Sequence, residues 1–260
     1  MFRASLFSTV LILLFSSCQN SYNNFETILP SPDSKKHLYF NLNEGEPYYL
    51  LYFEDHILVD WSKLGFLIDD TIKLNEGLLK KNIETRTSSF SEEYALPKGI
   101  ELDLATFNEM TITLDKQDYP GIQVSLVMRI YDNAVVFKYN LNFKGGNRTV
   151  QEITELDFYK NLFREVEIEK ITINEISKIE LPIEEVDTLF LPTTFISNES
   201  YKLEYLESVS PDYPKMKLLK RTPDKAEFQM KYADDSVEKI NVKTGFETPW
   251  RIVYITAYNE

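Results

Sequence analysis

The sequence predicts an all-β protein, a large β-sandwich with at most one or two short helices. Short runs rich in β-branched and aromatic residues alternate with polar turns along most of the chain. From about Ser31 to Glu260 the length fits a single all-β domain, which can reach roughly 200–250 residues. No internal repeat interrupts that reading.

The first pair of strands is expected at His37–Leu42 and Tyr48–Phe53, joined by a tight turn at Asn43-Glu44-Gly45-Glu46. Met110–Leu114, Gln123–Ile130 and Ala134–Phe143 follow, the last two linked by Tyr131-Asp132-Asn133. A second series comprises Val166–Ile173, Ile179–Leu181, Thr188–Leu191, Tyr201–Leu206, Met216–Leu219, Ala226–Tyr232 and Trp250–Tyr258. So many short strands imply a sandwich or barrel. Thr154–Glu165 carries apolar residues at 156, 158, 159, 162 and 163, a spacing open to a short amphipathic helix or to two half-buried strands.

The N-terminus has a different character. Phe2 and Arg3 lead into the apolar run Leu6–Phe15, then Ser16, Ser17 and Cys18, the layout of a signal peptide over residues 1–17. The run is shorter than the roughly 20 apolar residues a spanning helix needs. Ser16-Ser17-Cys18 resembles a lipobox, in which the cysteine is acylated and becomes the new N-terminus. Cys18 is the only cysteine, so no intrachain disulfide can form. Residues 18–30 are polar and lack apolar periodicity, and are expected to form a tether from the lipid anchor. An exported protein held on the membrane, on the periplasmic or cell-surface side, is the expectation.

Composition narrows the chemistry. The net charge of −13, from 41 acidic and 28 basic side chains, includes no Lys/Arg stripe, which argues against a nucleic-acid partner. Only two histidines occur, His37 and His56, with no HExxH pattern. There is no Gly-x-Ser-x-Gly elbow, P-loop or dinucleotide fingerprint. The carboxylate doublets Glu92-Glu93, Glu184-Glu185 and Asp234-Asp235 are adjacent residues, which point to opposite faces of a strand, and they are read as solvated turn charges. Of the two tryptophans, Trp61 and Trp250, the second is expected to pack the sandwich end.

A series of phrases runs through the domain in order: Ser31-Pro32-Asp33, Gly45-Glu46-Pro47-Tyr48-Tyr49, Ser62-Lys63-Leu64-Gly65 and Phe107-Asn108-Glu109-Met110-Thr111. Then come Arg129 to Tyr139, Ile153-Thr154-Glu155, Glu207 to Met216, and Thr248-Pro249-Trp250-Arg251. Together they resemble the N-terminal domain of glycoside hydrolase family 97. The resemblance implies a galactose-mutarotase-like supersandwich, which in the family precedes a catalytic (β/α)₈ barrel. Asn133, Ala134, Val136, Lys138 and Lys215 depart from the family's usual residues.

A (β/α)₈ barrel takes about 250 residues. The sequence given ends ten residues after Trp250, so the family's catalytic acid and base are not expected among these residues. No catalytic residue is assigned, and the isolated chain is not expected to be an enzyme. The resemblance carries over one functional residue: Glu207 matches a glutamate that ligates calcium jointly with carboxylates of the barrel. If calcium is retained here, Asp212 is the expected second carboxylate in a weak site, since calcium takes roughly six to eight oxygens. The expected partners are a glycan or a glycoside hydrolase chain, and the membrane through Cys18. The expected role is that of a non-catalytic lipoprotein in carbohydrate binding or polysaccharide use. The alternative is a part of a calcium-dependent α-glycosidase whose barrel lies on another chain.

Overall fold

The computed structural model describes residues 25–89, 94–98, 104–160, 162–171, 176–198 and 201–257. The chain opens with β1 (Phe25–Pro30), β2 (Lys36–Asn43), β3 (Glu46–Phe53) and β4 (His56–Lys63), followed by β5 (Phe66–Ile68) and β6 (Ile72–Lys73). Four long strands come next: β7 (Leu78–Ser88), β8 (Phe107–Lys116), β9 (Ile122–Tyr131) and β10 (Ala134–Phe143). Then follow β11 (Arg148–Glu152), β12 (Glu155–Asp157), β13 (Phe163–Ile171) and β14 (Ile176–Pro182), with a 3₁₀ turn at Ile183–Glu185. The last strands are β15 (Thr188–Phe190), β16 (Thr193–Ser197), β17 (Tyr201–Glu207) and β18 (Met216–Lys220), then β19 (Glu227–Tyr232), β20 (Ile240–Val242), β21 (Phe246–Glu247) and β22 (Arg251–Ala257).

A ten-stranded antiparallel sheet forms one layer, in the order β14-β13-β16-β17-β22-β10-β9-β8-β7, with β21 also paired to β10. Three four-stranded sheets form the other: β1-β2-β3-β4, β20-β11-β5-β6 and β12-β19-β18-β15. One core joins the layers, with Tyr49 and Phe66 of the small sheets against Phe137 and Tyr139 of the large one at ring separations of 5.5 and 4.8 Å. The all-β sandwich read from the sequence is the fold observed.

Alternation explains which runs were legible. In β2, Leu38, Phe40 and Leu42 face the core while His37, Tyr39 and Asn41 face outward. In β10 the alternation fails at Ala134–Phe137, all buried, because a second small cluster of Phe107, Tyr131, Ala134, Val136, Leu206 and Ile252 covers the outer face of the large sheet there. The predicted hairpin turn forms with Glu44 at φ 51° and Gly45 at φ 82°, and a Cβ on Gly45 would lie 2.9 Å from the Leu78 backbone nitrogen.

Two expectations need correction. The tether was expected to run to Pro30, but Phe25–Pro30 is β1, paired along its length with β2 and burying Leu29. Its polar and mixed residues hid the strand, because an edge strand buries one face only. The helical option for Thr154–Glu165 is replaced by the two-strand option. Leu156 pairs with Phe228 in β19, Lys160 takes φ 43° in the connection, and Phe158 and Phe163 turn into one aromatic cluster with Phe195. Sheet pairing at both ends overrides the helical spacing. Cys18, the signal segment and Glu92-Glu93 lie outside the described residues.

Two truncations test the β1 boundary. A chain starting at Phe25 is expected to melt with one starting at Cys18. One starting at Ser31 loses the Leu29 burial and the β2 pairing, and should melt roughly 5–10 °C lower in a thermal scan.

Candidate functional site

The ends of four strands meet around one guanidinium. Arg251 opens β22 and Glu207 closes β17, and the two are cross-strand partners. Glu152 closes β11, and Met216 opens β18. Arg251 is fully buried, and so is Glu152. Arg251 Nη2 donates to Glu152 Oε2, and its Nε reaches Oε1 at 3.3 Å. Its Nη1 donates to Glu207 Oε2 at 3.2 Å and to the Pro249 carbonyl at 3.4 Å.

The carboxylates are held from other sides as well. Tyr213 Oη donates to Glu152 Oε2 at 2.7 Å and lays its ring 5.2 Å from the Arg251 guanidinium carbon. The Met216 backbone N–H donates to Glu207 Oε1 at 2.8 Å. Burial pushes the Glu207 pKa above the ordinary glutamate range, against the pull of Arg251 and the Met216 N–H. Burial alone would disfavour the Arg251 charge, but Glu152, Tyr213 and Glu207 reverse that and hold it protonated.

The balance of charge is the useful feature. Two carboxylates share one guanidinium, and the outer one, Glu207, lines a cavity of about 300 Å³ with Pro192, Val209, Ser210, Tyr213 and Lys215. Val209 is 55% exposed on that wall. Leu191 and Pro192 also line a neighbouring cavity of about 430 Å³ that includes Phe190, which is 63% exposed.

A second cation braces the adjoining end of the large sheet. Arg129 lies between the rings of Trp250 and Phe107, 4.4 and 4.7 Å from its guanidinium carbon. Its Nε donates to Glu109 Oε2 at 2.7 Å and its Nη1 to Tyr94 Oη at 2.9 Å. Trp250 thus packs the sandwich end, with Tyr94 edge-on at 5.6 Å.

The residues singled out from sequence fall unevenly. Glu207 sits in the strand-end cluster, whereas Asp212 is exposed. Among the described residues no group of three or more His, Cys, Asp or Glu side chains is placed to hold a metal. With Arg251 on one Glu207 oxygen and a backbone N–H on the other, these residues do not make a calcium shell by themselves. Glu184 and Glu185 lie in the 3₁₀ turn, Asp234 caps Ser236, and Asp235 pairs with Lys217 at 2.5 Å, so these are turn charges. Glu152, Glu109 and Arg129 were not assigned roles from sequence. Their signal was an ionisable residue at a buried position of a strand.

With the site described, the comparisons decide the family. Residues 29–260 match the model described as Glycosyl-hydrolase 97 N-terminal. The chain belongs to that family. No curated protein sequence matches it. Among solved structures, a glycoside hydrolase family 97 enzyme from Pseudoalteromonas sp. strain K8 in complex with acarbose superposes with a TM-score of 0.73 at 20% identity, covering 89% of this chain and 36% of that one. The same enzyme in complex with panose gives the same values. A β-arabinopyranosidase matches with a TM-score of 0.71 at 16% identity, covering 88% of this chain and 40% of that one. At these identities the likeness is one of fold. The family-97 chain thus spans well under half the length of the enzymes it resembles.

The cluster makes a two-part prediction. Arg251→Leu leaves Glu152 buried without its cation and should cost about 3–5 kcal/mol in urea unfolding. Glu207→Gln keeps an acceptor for the Met216 N–H and should cost only about 1–2 kcal/mol. Because the folded pKa of Glu207 is raised, the folded state binds more protons than the unfolded one as pH falls toward the ordinary glutamate value of 4.5. The wild type should therefore gain stability relative to Glu207→Gln as the pH is lowered from 7 toward that value, and lose it as pH rises.

Proposed function

We propose that this chain is the non-catalytic N-terminal module of a family-97 system for carbohydrate use, exported and held on the membrane through Cys18, and that its Glu207 end docks a glycosidase barrel. The observation that carries the reading is a buried carboxylate, Glu207, in the wall of a cavity with exposed apolar side chains beside it. Glu207 is a desolvated carboxylate that shares Arg251 with Glu152, set in a cavity wall with Lys98, Lys215 and the exposed Val209, while the exposed Phe190 lines the adjoining cavity. Such a group gains from a further cation brought by a partner, because the cost of burying it has already been met by the fold. Apolar side chains around a buried polar centre are the usual anatomy of a protein interface. The share of the neighbouring enzymes that this chain covers supports the same reading.

Calcium fits this proposal only at the docked face. Glu207 would supply one oxygen, and most of the roughly six to eight that the ion needs would come from the partner. The acarbose and panose complexes of the neighbouring enzyme point to α-linked glucose oligomers as the sugars to try first.

Purified alone, the protein should show no turnover of aryl α-glucosides or α-galactosides. Turnover that a point change in this chain abolished would overturn the reading. Added to the catalytic barrel of a family-97 enzyme, it should form a complex on size exclusion that Val209→Arg weakens. The melting temperature of the chain alone should be the same with calcium and with chelator, and a calcium effect lost in Glu207→Gln should appear only with the barrel present.

A further inference from the structure

The outer face of the β1–β4 sheet carries an aromatic and aliphatic surface that faces away from the core. The pairing register sets its rows. Ile28, Tyr39 and Leu50 are opposite one another across β1, β2 and β3, Leu50 itself being buried, and Trp61 of β4 stands beside them with its ring 6.5 Å from that of Tyr39. Pro30, His37 and Tyr52 form the next row, continued by Ile57. The His37 ring lies 6.4 and 6.3 Å from those of Tyr39 and Tyr52, tilted to both. Ile28 is 48% exposed and Trp61 37%. The remaining row, Glu26, Asn41, Tyr48 and Lys63, is polar, and Lys63 is neutralised by Glu46 at 2.9 Å.

We propose that this face rests on the lipid surface, with Ile28, Tyr39, Tyr52 and Trp61 in the headgroup region of the bilayer to which Cys18 tethers the chain. The inference rests on the anchor reading of Cys18 and adds to it an orientation. The argument is one of reach. Seven residue steps separate Cys18 from Phe25, the first residue of β1, and a chain that short spans at most about 25 Å. A domain of this size is roughly 45 Å across. The tether is therefore shorter than the body it holds, and the surface nearest its root is the β1–β4 sheet itself. Tryptophan and tyrosine are the side chains that settle at a membrane interface, their rings in the acyl boundary and their polar atoms in water. The near-neutral charge of the face suits a zwitterionic surface, and it spares the acidic remainder of the protein from contact with lipid.

The lone thiol permits a direct test that does not depend on natural acylation. The chain from Cys18 onward is coupled through Cys18 to a maleimide lipid in phosphatidylcholine vesicles, and tryptophan emission is read with brominated acyl chains present. Since the protein has only two tryptophans, Trp250→Phe isolates Trp61. In the unmodified chain, the quenched component should instead vanish with Trp61→Phe. Coupling should shift Trp61 emission to the blue and quench it at least about twofold, and Ile28→Asp with Tyr39→Asp should abolish both effects without changing coupling yield. Unchanged Trp61 emission on coupling overturns the proposal, as does a Trp61 response to maltooligosaccharides or to self-association in place of the response to lipid. Fatty-acid labelling of the wild type in cells that fails to mark Cys18 would remove the anchor reading but not touch the vesicle result, so the two failures are told apart.

Discussion

The buried guanidinium of Arg251 is the constraint on which the working end of the sandwich depends. It stands at the cross-strand junction of β17 and β22, and it ties the end of β11 in one layer to the large sheet in the other through Glu152. Moving a cation from water into such a place costs several kcal/mol, and the cost is offset only when nearly all its donors are met. Here two carboxylates, a carbonyl and a tyrosine ring meet them. An arrangement of this kind is satisfied in one register and in no neighbouring one, so it fixes how the strand ends align.

The same arrangement gives Glu207 only a share of Arg251, with Lys98 and Lys215 as the further cations of its cavity. A carboxylate fully paired with arginine has nothing left to offer a partner. One that is desolvated, shares its arginine with a second carboxylate and lines a cavity remains attractive to further positive charge. Arg129 stands at the adjoining edge. It is held between Phe107 and Trp250 and bound to Glu109 and Tyr94.

Two surfaces of the domain thus have different characters. The Glu207 end sets a buried carboxylate beside Lys98, Lys215 and the exposed Val209, with the exposed Phe190 in the adjoining cavity, which suits a protein partner. The outer face of β1–β4 combines rings with near neutrality and lies at the root of the tether, which suits a lipid interface.

Much of the fold was legible because a strand with one buried face alternates, as in β2, β8 and β9, and the Asn43 to Glu46 turn could be placed from its glycine. Edge strands escaped: β7 is mostly exposed and shows no regular alternation, and β1 falls within the expected tether. Glu207 entered through resemblance to a family, whereas Glu152, which meets Arg251 across 99 residues of sequence, did not enter at all. By itself the sequence determined the fold class, the scarcity of catalytic side chains and the place of the single cysteine, because those follow from local pattern and composition. Which carboxylates share the buried arginine, and which rings face outward together, was decided only by the tertiary structure, because pairing register brings together residues that no local rule relates.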